Sequence, residues 1–309
     1  MQRITKSIFE GLVLIQLENE VMTVDLFPEI GGKISSIFNK NLRHEFLWRN
    51  KSLKLRQYPP GSEYDPHFFG GMDELLPNDI PESIDQIDYP DHGELWTTAL
   101  QHKMDPGSVT VFGKLKLSGI FYSKTVSLIK GSPMVCLDYI IRNESSATRH
   151  FLWKMHAALV IEPGDRMNSH ARKAKVADPA YSRFKTGNEF DWPDIENRDA
   201  SIVPVSEDEM DFFYLYDIPK SEMQMKHSKG HYTFGIDYDQ KIFPCQWYFA
   251  SYGGFSNHQV AILEPATGMP LSVNEAISLD HCAALDPGEE INTRVYLFAG
   301  EETNYFPHV

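Results

Sequence analysis

The chain has 309 residues, of which 42% are hydrophobic and 12% aromatic, so it can form a large core. Its 29 basic and 43 acidic residues give a net charge of −14, which disfavours nucleic acid and anionic membranes as partners, because both require a basic surface. Cys136, Cys245 and Cys282 are isolated, and the sequence shows neither a signal peptide nor a segment of membrane-spanning length, so we expect a cytoplasmic protein.

Hydrophobic alternation predicts strands along most of the chain, whereas long helical periodicity is scarce. Strands are predicted, in chain order, at 11–17, 21–27, 110–117, 119–129, 134–142, 151–161, 231–237, 245–252, 258–264 and 293–299. Pro-Gly pairs at 106–107, 163–164 and 287–288 predict turns between them. Many strands at hairpin spacing without a βαβ rhythm favour an all-β antiparallel sandwich or barrel, and we expect a single domain over residues 1–309.

Two polar segments, 40–108 and 162–200, interrupt the alternation and are predicted to be long loops. Loops of that length inside a compact domain are usually functional or disordered. The first contains the aromatic and glycine-rich sequence HFFGGMDELLP, which favours a packed, ordered loop. The second carries the acidic sequence EFDWPDIENRD and suits a surface excursion such as a lid.

The sequence YPDHGELW (89–96) places His92 in a turn, where a histidine is more often structural than functional. The preceding sequence GGMDELLPND (70–79) favours a functional role for His92. Gly70 and Gly71 allow the backbone to approach a ligand closely, and Asp73 and Glu74 follow them. A small polar ligand requires polar groups concentrated among aromatic residues. We therefore predict that this loop binds a ligand.

His156 lies inside the strand FLWKMHAALVI (151–161), whose alternation separates an apolar face from a mixed one. The apolar face comprises Phe151, Trp153, Met155, Ala157, Leu159 and Ile161. The mixed face carries Lys154 and His156 and suits either the wall of a wet cleft or an exposed sheet surface.

Glu264 continues the apolar row of Val260 and Ile262 where Pro265 ends the strand. Two interpretations remain open for it: a solvated strand end, or a partly desolvated carboxylate whose pKa suits proton transfer. Trp247 is more readily explained as core, although sugars also stack on such rings. The sequence has no P-loop, dinucleotide-binding glycine pattern, HExxH or GxSxG motif.

Five regions of the sequence together resemble the aldose 1-epimerase (galactose mutarotase-like) family. In order they are FPEIGGKISSI (27–37), GGMDELLPND (70–79), DHGELW (91–96), LWKMH (152–156), and AILEPATGMP (261–270) with LDPGEEI (285–291). The resemblance implies a large antiparallel β-sandwich that binds a small-molecule sugar, needs no cofactor or metal, and interconverts the α and β anomers of an aldose. A homodimer is an open option.

The resemblance also implies roles for three residues. His92 would bind and polarise the sugar, His156 in its protonated form would act as general acid, and Glu264 would act as general base. The chain lacks the family's arginine before the HG motif, so Asp73 or Glu74 is expected to bind sugar hydroxyls instead.

Other predicted substrate contacts are Trp247 and Lys154, the latter a candidate partner for a phosphate group. Either Asp211 or Asp217 matches the family's sugar-binding aspartate.

Two further hypotheses remain. A non-catalytic carbohydrate-binding or regulatory protein would have the same fold, because fold does not determine function. A metal triad of His92, His156 and Glu264 is disfavoured, because such oxygenase sites usually take two ligands from within a few residues.

Overall fold

The computed structural model describes residues 2–302, which form 26 strands. The first thirteen are β1 (Arg3–Phe9), β2 (Leu12–Glu18), β3 (Met22–Phe27), β4 (Lys33–Asn39), β5 (His44–Glu45), β6 (Met72–Leu75), β7 (Glu82–Ile84), β8 (Ile87–Tyr89), β9 (Gln101–Asp105), β10 (Ser108–Lys114), β11 (Ile120–Leu128), β12 (Met134–Asn143) and β13 (Arg149–Phe151). The others are β14 (Lys154–Val160), β15 (Arg166–Ser169), β16 (Lys173–Val176), β17 (Glu189–Asp191), β18 (Asp194–Ile195), β19 (Arg198–Asp199), β20 (Glu209–Tyr216), β21 (Glu222–Lys226), β22 (Tyr232–Asp237), β23 (Cys245–Tyr252), β24 (Gln259–Ala266), β25 (Ala283–Leu285) and β26 (Glu290–Glu301). Every strand predicted from the alternation overlaps one of these.

In the described part of the chain, helical structure is confined to short elements. The α-helix α1 (Val273–Ser278) begins at Ser272, whose side chain accepts a hydrogen bond from the Glu275 backbone amide. Single 3₁₀ turns lie at Asp65–His67, Leu95–Thr97 and Pro179–Tyr181. Within residues 2–302, no helix has the length and apolar character needed to cross a membrane.

Twenty of the 26 strands form two large antiparallel sheets, and the other six form three two-stranded sheets. One has twelve strands in the order β1-β2-β3-β4-β6-β14-β24-β23-β20-β16-β17, with β5 added beside β4. The other has eight in the order β15-β21-β22-β26-β12-β11-β10-β9. Their facing surfaces share one hydrophobic cluster, in which Leu17 of β2 lies with Val126 of β11. This arrangement confirms the predicted all-β antiparallel sandwich.

The centre of the twelve-stranded sheet shows the two faces predicted for the strand at 151–161. Trp153, Met155 and Ala157 belong to the cluster between the sheets. Because side chains alternate along a strand, Lys154 and His156 project from the other face. Burying an apolar side chain such as Met155 contributes about 1.5–3 kcal/mol, so the register that sends the two polar groups outward is strongly favoured.

Strand β6 lies inside the segment predicted to be a long loop, 40–108, and fills a central position between β4 and β14. Its residues Met72–Leu75 are all buried although two are acidic. Asp73 and Glu74 project to opposite faces and each binds a buried lysine. The strand therefore lacks the hydrophobic alternation that predicts strands, because charges paired in three dimensions replace apolar side chains.

Candidate active site

A cavity of about 220 Å³ opens on the outer face of the twelve-stranded sheet. Aromatic rings form much of its wall, contributed by Tyr64, Phe68, Tyr181, Phe212, Phe249 and Phe255. His92, His156, Glu264 and Lys154, all predicted as site residues, lie in the same wall. Four predicted residues from three distant parts of the chain therefore meet in one cavity.

The pairing of β14 with β24 places the strand residues. Ala158 of β14 lies opposite Ile262 of β24 in the antiparallel register. Ile262 and Glu264 share a face, as do Ala158, His156 and Lys154. The carboxylate, the imidazole and the ammonium group are thus presented by two neighbouring strands.

Lys154 is bound between two carboxylates. Its Nζ lies 2.5 Å from Oδ1 of Asp79 and 2.7 Å from Oε2 of Glu264, and its side chain is only 5% exposed. The ammonium group also lies 4.1 Å from the centre of the Trp247 ring. Burial would lower the pKa of Lys154, but the two carboxylates outweigh it and the pKa is raised, so the lysine stays charged.

Glu264 is almost completely buried, with 2% of its side chain exposed. Burial raises the pKa of Glu264 above its usual value, although the ammonium group of Lys154 opposes the shift. A desolvated carboxylate with a raised pKa is a stronger proton acceptor than one in water.

His92 is held by the turn that contains it. Its backbone is left-handed, with φ of 56°, and its amide donates to the Asp79 carbonyl at 2.7 Å. Nδ1 lies 2.8 Å from Asp91 Oδ1, and the ring stacks on Tyr64 at a centroid distance of 4.3 Å. Burial alone would lower the pKa of His92, but Asp79 and Asp91 outweigh it and the pKa is raised.

His156 is 5% exposed and has the opposite electrostatic environment. Burial lowers the pKa of His156 well below its usual value, and the positive charges of Lys154 and His92 lower it further. The Tyr64 hydroxyl donates to Asp73 at 2.7 Å and lies 3.3 Å from His156 Nδ1. Because that hydroxyl proton is used, Nδ1 of His156 is the donor to Tyr64, and Nε2 of the neutral ring is an acceptor.

The resemblance implies a protonated His156, whereas these surroundings favour a neutral imidazole. Burial of the ring is the main cause, and the charge of the neighbouring Lys154 adds to it, because that charge is unfavourable for a second cation on the same face.

Three other predicted contacts lie behind the cavity wall. Asp73 binds Lys33 and Tyr64. Glu74 projects into the space between the sheets, where it binds Lys124 and Tyr139. The indole of Trp247 is fully buried beneath Lys154. Their roles as sugar contacts stay predictions.

The two candidates for the family's sugar-binding aspartate are not among the residues that line the cavity. Asp211 is fully buried beside Arg183, at 2.9 Å from its Nε. Burial raises the pKa of Asp211 to about 7, although Arg183 opposes the shift. Asp217 is exposed and lies 3.8 Å from Arg172.

Sequence reasoning missed three residues that organise the site: Tyr64, Asp79 and Asp91. Asp79 ends the GGMDELLPND region, and Asp91 precedes His92, so both belong to sequence motifs that carry the resemblance. Nothing in the local sequence distinguishes Tyr64, which reaches the cavity through the 3₁₀ turn Asp65–His67.

The residues of 2–302 include no group of three or more His, Cys, Asp or Glu side chains arranged to hold a metal ion. The rings of His92 and His156 are 6.5 Å apart between centroids and perpendicular.

Gly93 fixes the position of His92, and replacing it by Ala is expected to lower the free energy of unfolding by about 2 kcal/mol or more. Its φ is +74°, and a Cβ would lie 2.3 Å from the Leu76 carbonyl oxygen. Gly61→Ala is the matched control, because Gly61 has φ of +83° and open space around a Cβ. Chemical denaturation should show the larger loss for Gly93→Ala, and equal losses would contradict the close contact.

Solved structures share this fold over nearly the whole chain. A galactose mutarotase-like protein from Clostridium acetobutylicum is 15% identical with a TM-score of 0.73, covering 96% of this chain and 98% of that one. A protein from Klebsiella pneumoniae, provisionally assigned as an aldose 1-epimerase, is 14% identical with a TM-score of 0.71, covering 96% and 83%. The fold is therefore that of the galactose mutarotase-like proteins.

The same fold occurs within a TPR-domain containing protein from Parabacteroides distasonis, which is 15% identical with a TM-score of 0.69. There the match covers 96% of this chain and 49% of the other. Residues 2–166 match the family described as a domain of unknown function, DUF5107, and the chain belongs to that family. No curated protein matches the sequence.

Proposed function

We propose that the protein is an aldose 1-epimerase, which interconverts the anomers of an aldose by opening and closing its ring. One observation carries the proposal: Glu264, His92 and His156 meet in a single aromatic-lined cavity. Such a cavity, with a few convergent polar groups of shifted pKa, is the expected form of a small-molecule site.

The chemistry requires one proton acceptor and one proton donor. Glu264 would take the proton of the C1 hydroxyl while the ring oxygen O5 receives a proton, so that the C1–O5 bond breaks and C1 becomes a carbonyl. Rotation about C1–C2 and closure from the other face return both protons. Each transfer typically contributes 10²–10⁴-fold, and no electrons are exchanged with a cofactor.

The charges favour His92 as the proton donor to O5. Its pKa is raised, and Asp91 holds Nδ1, which leaves Nε2–H for the substrate. Neutral His156 would accept a hydrogen bond from a sugar hydroxyl at Nε2 and so orient the ring. This division reverses the donor role that the resemblance implies for His156.

The proposed substrate is an aldose without a phosphate group. Five carboxylates line the cavity, those of Asp65, Asp79, Asp91, Asp178 and Glu264. Lys154, the predicted phosphate partner, is already bound to two of them. A phosphate dianion would therefore be repelled by the carboxylates without gaining an unpaired ammonium group.

A non-catalytic sugar-binding protein is the second candidate, and the ion pair between Lys154 and Glu264 is the observation that favours it. A base bound to a buried ammonium group accepts a proton less readily than a free one. Such a protein would bind an aldose without changing the rate of anomer exchange.

Anomer-exchange NMR on a panel of neutral aldoses and sugar phosphates tests the proposal, with His156→Ala as the impaired variant. The expected result is accelerated exchange of at least one neutral aldose, slower exchange with His156→Ala, and none with the phosphates. Saturation transfer without accelerated exchange would favour the binding protein, and exchange confined to sugar phosphates would overturn the proposed substrate class.

A further inference from the structure

Lys154 has no role in the proton transfers described above, yet its ammonium group binds two carboxylates in the cavity wall and packs on a buried indole. We propose that Lys154 is a positioning residue, whose ammonium group orients Glu264, keeps it ionised and leaves His156 uncharged. The roles of Glu264 as proton acceptor, His92 as proton donor and His156 as a neutral hydrogen-bond acceptor would then depend on a residue that does not transfer a proton itself.

Geometry supports this assignment. The ammonium group contacts carboxylates from two directions, Asp79 in the segment after β6 and Glu264 on β24, and packs on Trp247 of β23. Trp247 is itself fixed by donation from Nε1 to the Gly268 carbonyl at 3.0 Å. These contacts hold the Lys154 side chain in one orientation and pair its charge with carboxylates of the protein.

Sequence position explains why the same charge acts on His156. Residues two apart on a strand project to the same side, so Lys154 and His156 are neighbours in the cavity wall. His156 also faces the charges of His92 and Lys33 and the Tyr64 hydroxyl, whereas Glu264 faces Lys154, Asp79 and His92. Lys154 and His92 are in both sets and lower the pKa of both groups, and in each set the effect of Lys154 is the larger.

Direct titration tests this inference independently of the proposed function. Only the kinetic test of the inference rests on that function. The NMR titration of the His156 ring, assigned with His156→Gln, is measured in the wild type and in Lys154→Met. Losing the cation should move the titration of His156 upward by about one pH unit or more. Lys154→Arg, which keeps the charge, should leave it near the wild-type position, and Lys175→Met on β16 serves as the exposed control.

The kinetic test uses the pH profile of kcat/KM for anomer exchange. Activity should rise with pH as Glu264 ionises and fall as His92 loses its proton. Lys154→Met should move both limbs to higher pH, because Lys154 lowers the pKa of both groups. Asp79→Asn should move both limbs to lower pH, because Asp79 raises both. A merely structural role would reduce the plateau without moving the limbs.

Each outcome decides a separate question. An unchanged His156 titration in Lys154→Met overturns the proposal, whatever the activity. If Lys154→Met does not fold, Lys154→Gln is titrated in its place, and an unchanged His156 titration in that variant overturns the proposal. If the wild type exchanges no aldose but the titrations move as expected, the proposed function fails and the role of Lys154 stands.

Discussion

Glu264→Gln is expected to reduce enzyme-dependent anomer exchange by at least about 10²-fold, because the substitution removes the proposed proton acceptor. Glutamine has nearly the same shape, so the cavity wall is retained. Lys154 keeps its ion pair with Asp79 at 2.5 Å, and the variant should therefore fold. Exchange spectroscopy at saturating aldose measures the loss directly.

Binding distinguishes this result from damage to the cavity. Saturation transfer to the aldose should persist in Glu264→Gln, because aromatic contacts and both histidines remain. Glu275→Gln on α1, exposed and outside the cavity, is the matched control and should exchange at the wild-type rate. Retained exchange in Glu264→Gln would assign the base to another group and remove the basis of the proposed mechanism.

The fold could be predicted from the sequence because apolar alternation is itself the physical cause of the sandwich. Strands such as β12 and β23, whose residues are mostly buried, can be recognised from their hydrophobic pattern without tertiary information. Strand β6 could not be recognised, because its stability depends on Lys33 and Lys124 arriving from distant strands to neutralise Asp73 and Glu74. Pairing of this kind is invisible in a local window.

The residues of the candidate site could be predicted from the sequence, but the charge that each of them carries could not. Spacing and resemblance brought His92, His156 and Glu264 to attention, and the structure places them in one cavity. The charge on each group depends on its burial and on ionic neighbours: other segments supply Asp79 and Lys154 to His92 and Glu264, and Lys154 acts on buried His156 from the same strand. Sequence alone therefore names candidate residues, whereas assigning donor and acceptor needs the three-dimensional arrangement of ions.

Lys124→Met is expected to lower the free energy of unfolding by about 3–5 kcal/mol, because it leaves the Glu74 carboxylate buried without its counter-ion. Both side chains are 0% exposed, with Nζ of Lys124 at 2.6 Å from Glu74. Tyr139 donates to the other carboxylate oxygen at 2.7 Å, which is too little to replace a full positive charge. Urea denaturation of the purified variant measures the effect.

A double-mutant cycle identifies the origin of that loss. Glu74→Gln keeps an acceptor for Tyr139 and removes the charge, so Lys124→Met combined with Glu74→Gln should recover much of the stability lost in Lys124→Met. Since Glu74 lies between the sheets, the folded double variant should also exchange aldoses at close to the wild-type rate. Loss of exchange in a stably folded double variant would instead support the sugar-binding role that the sequence predicts for Glu74. The cycle therefore tests whether this buried carboxylate stabilises the fold or binds the substrate.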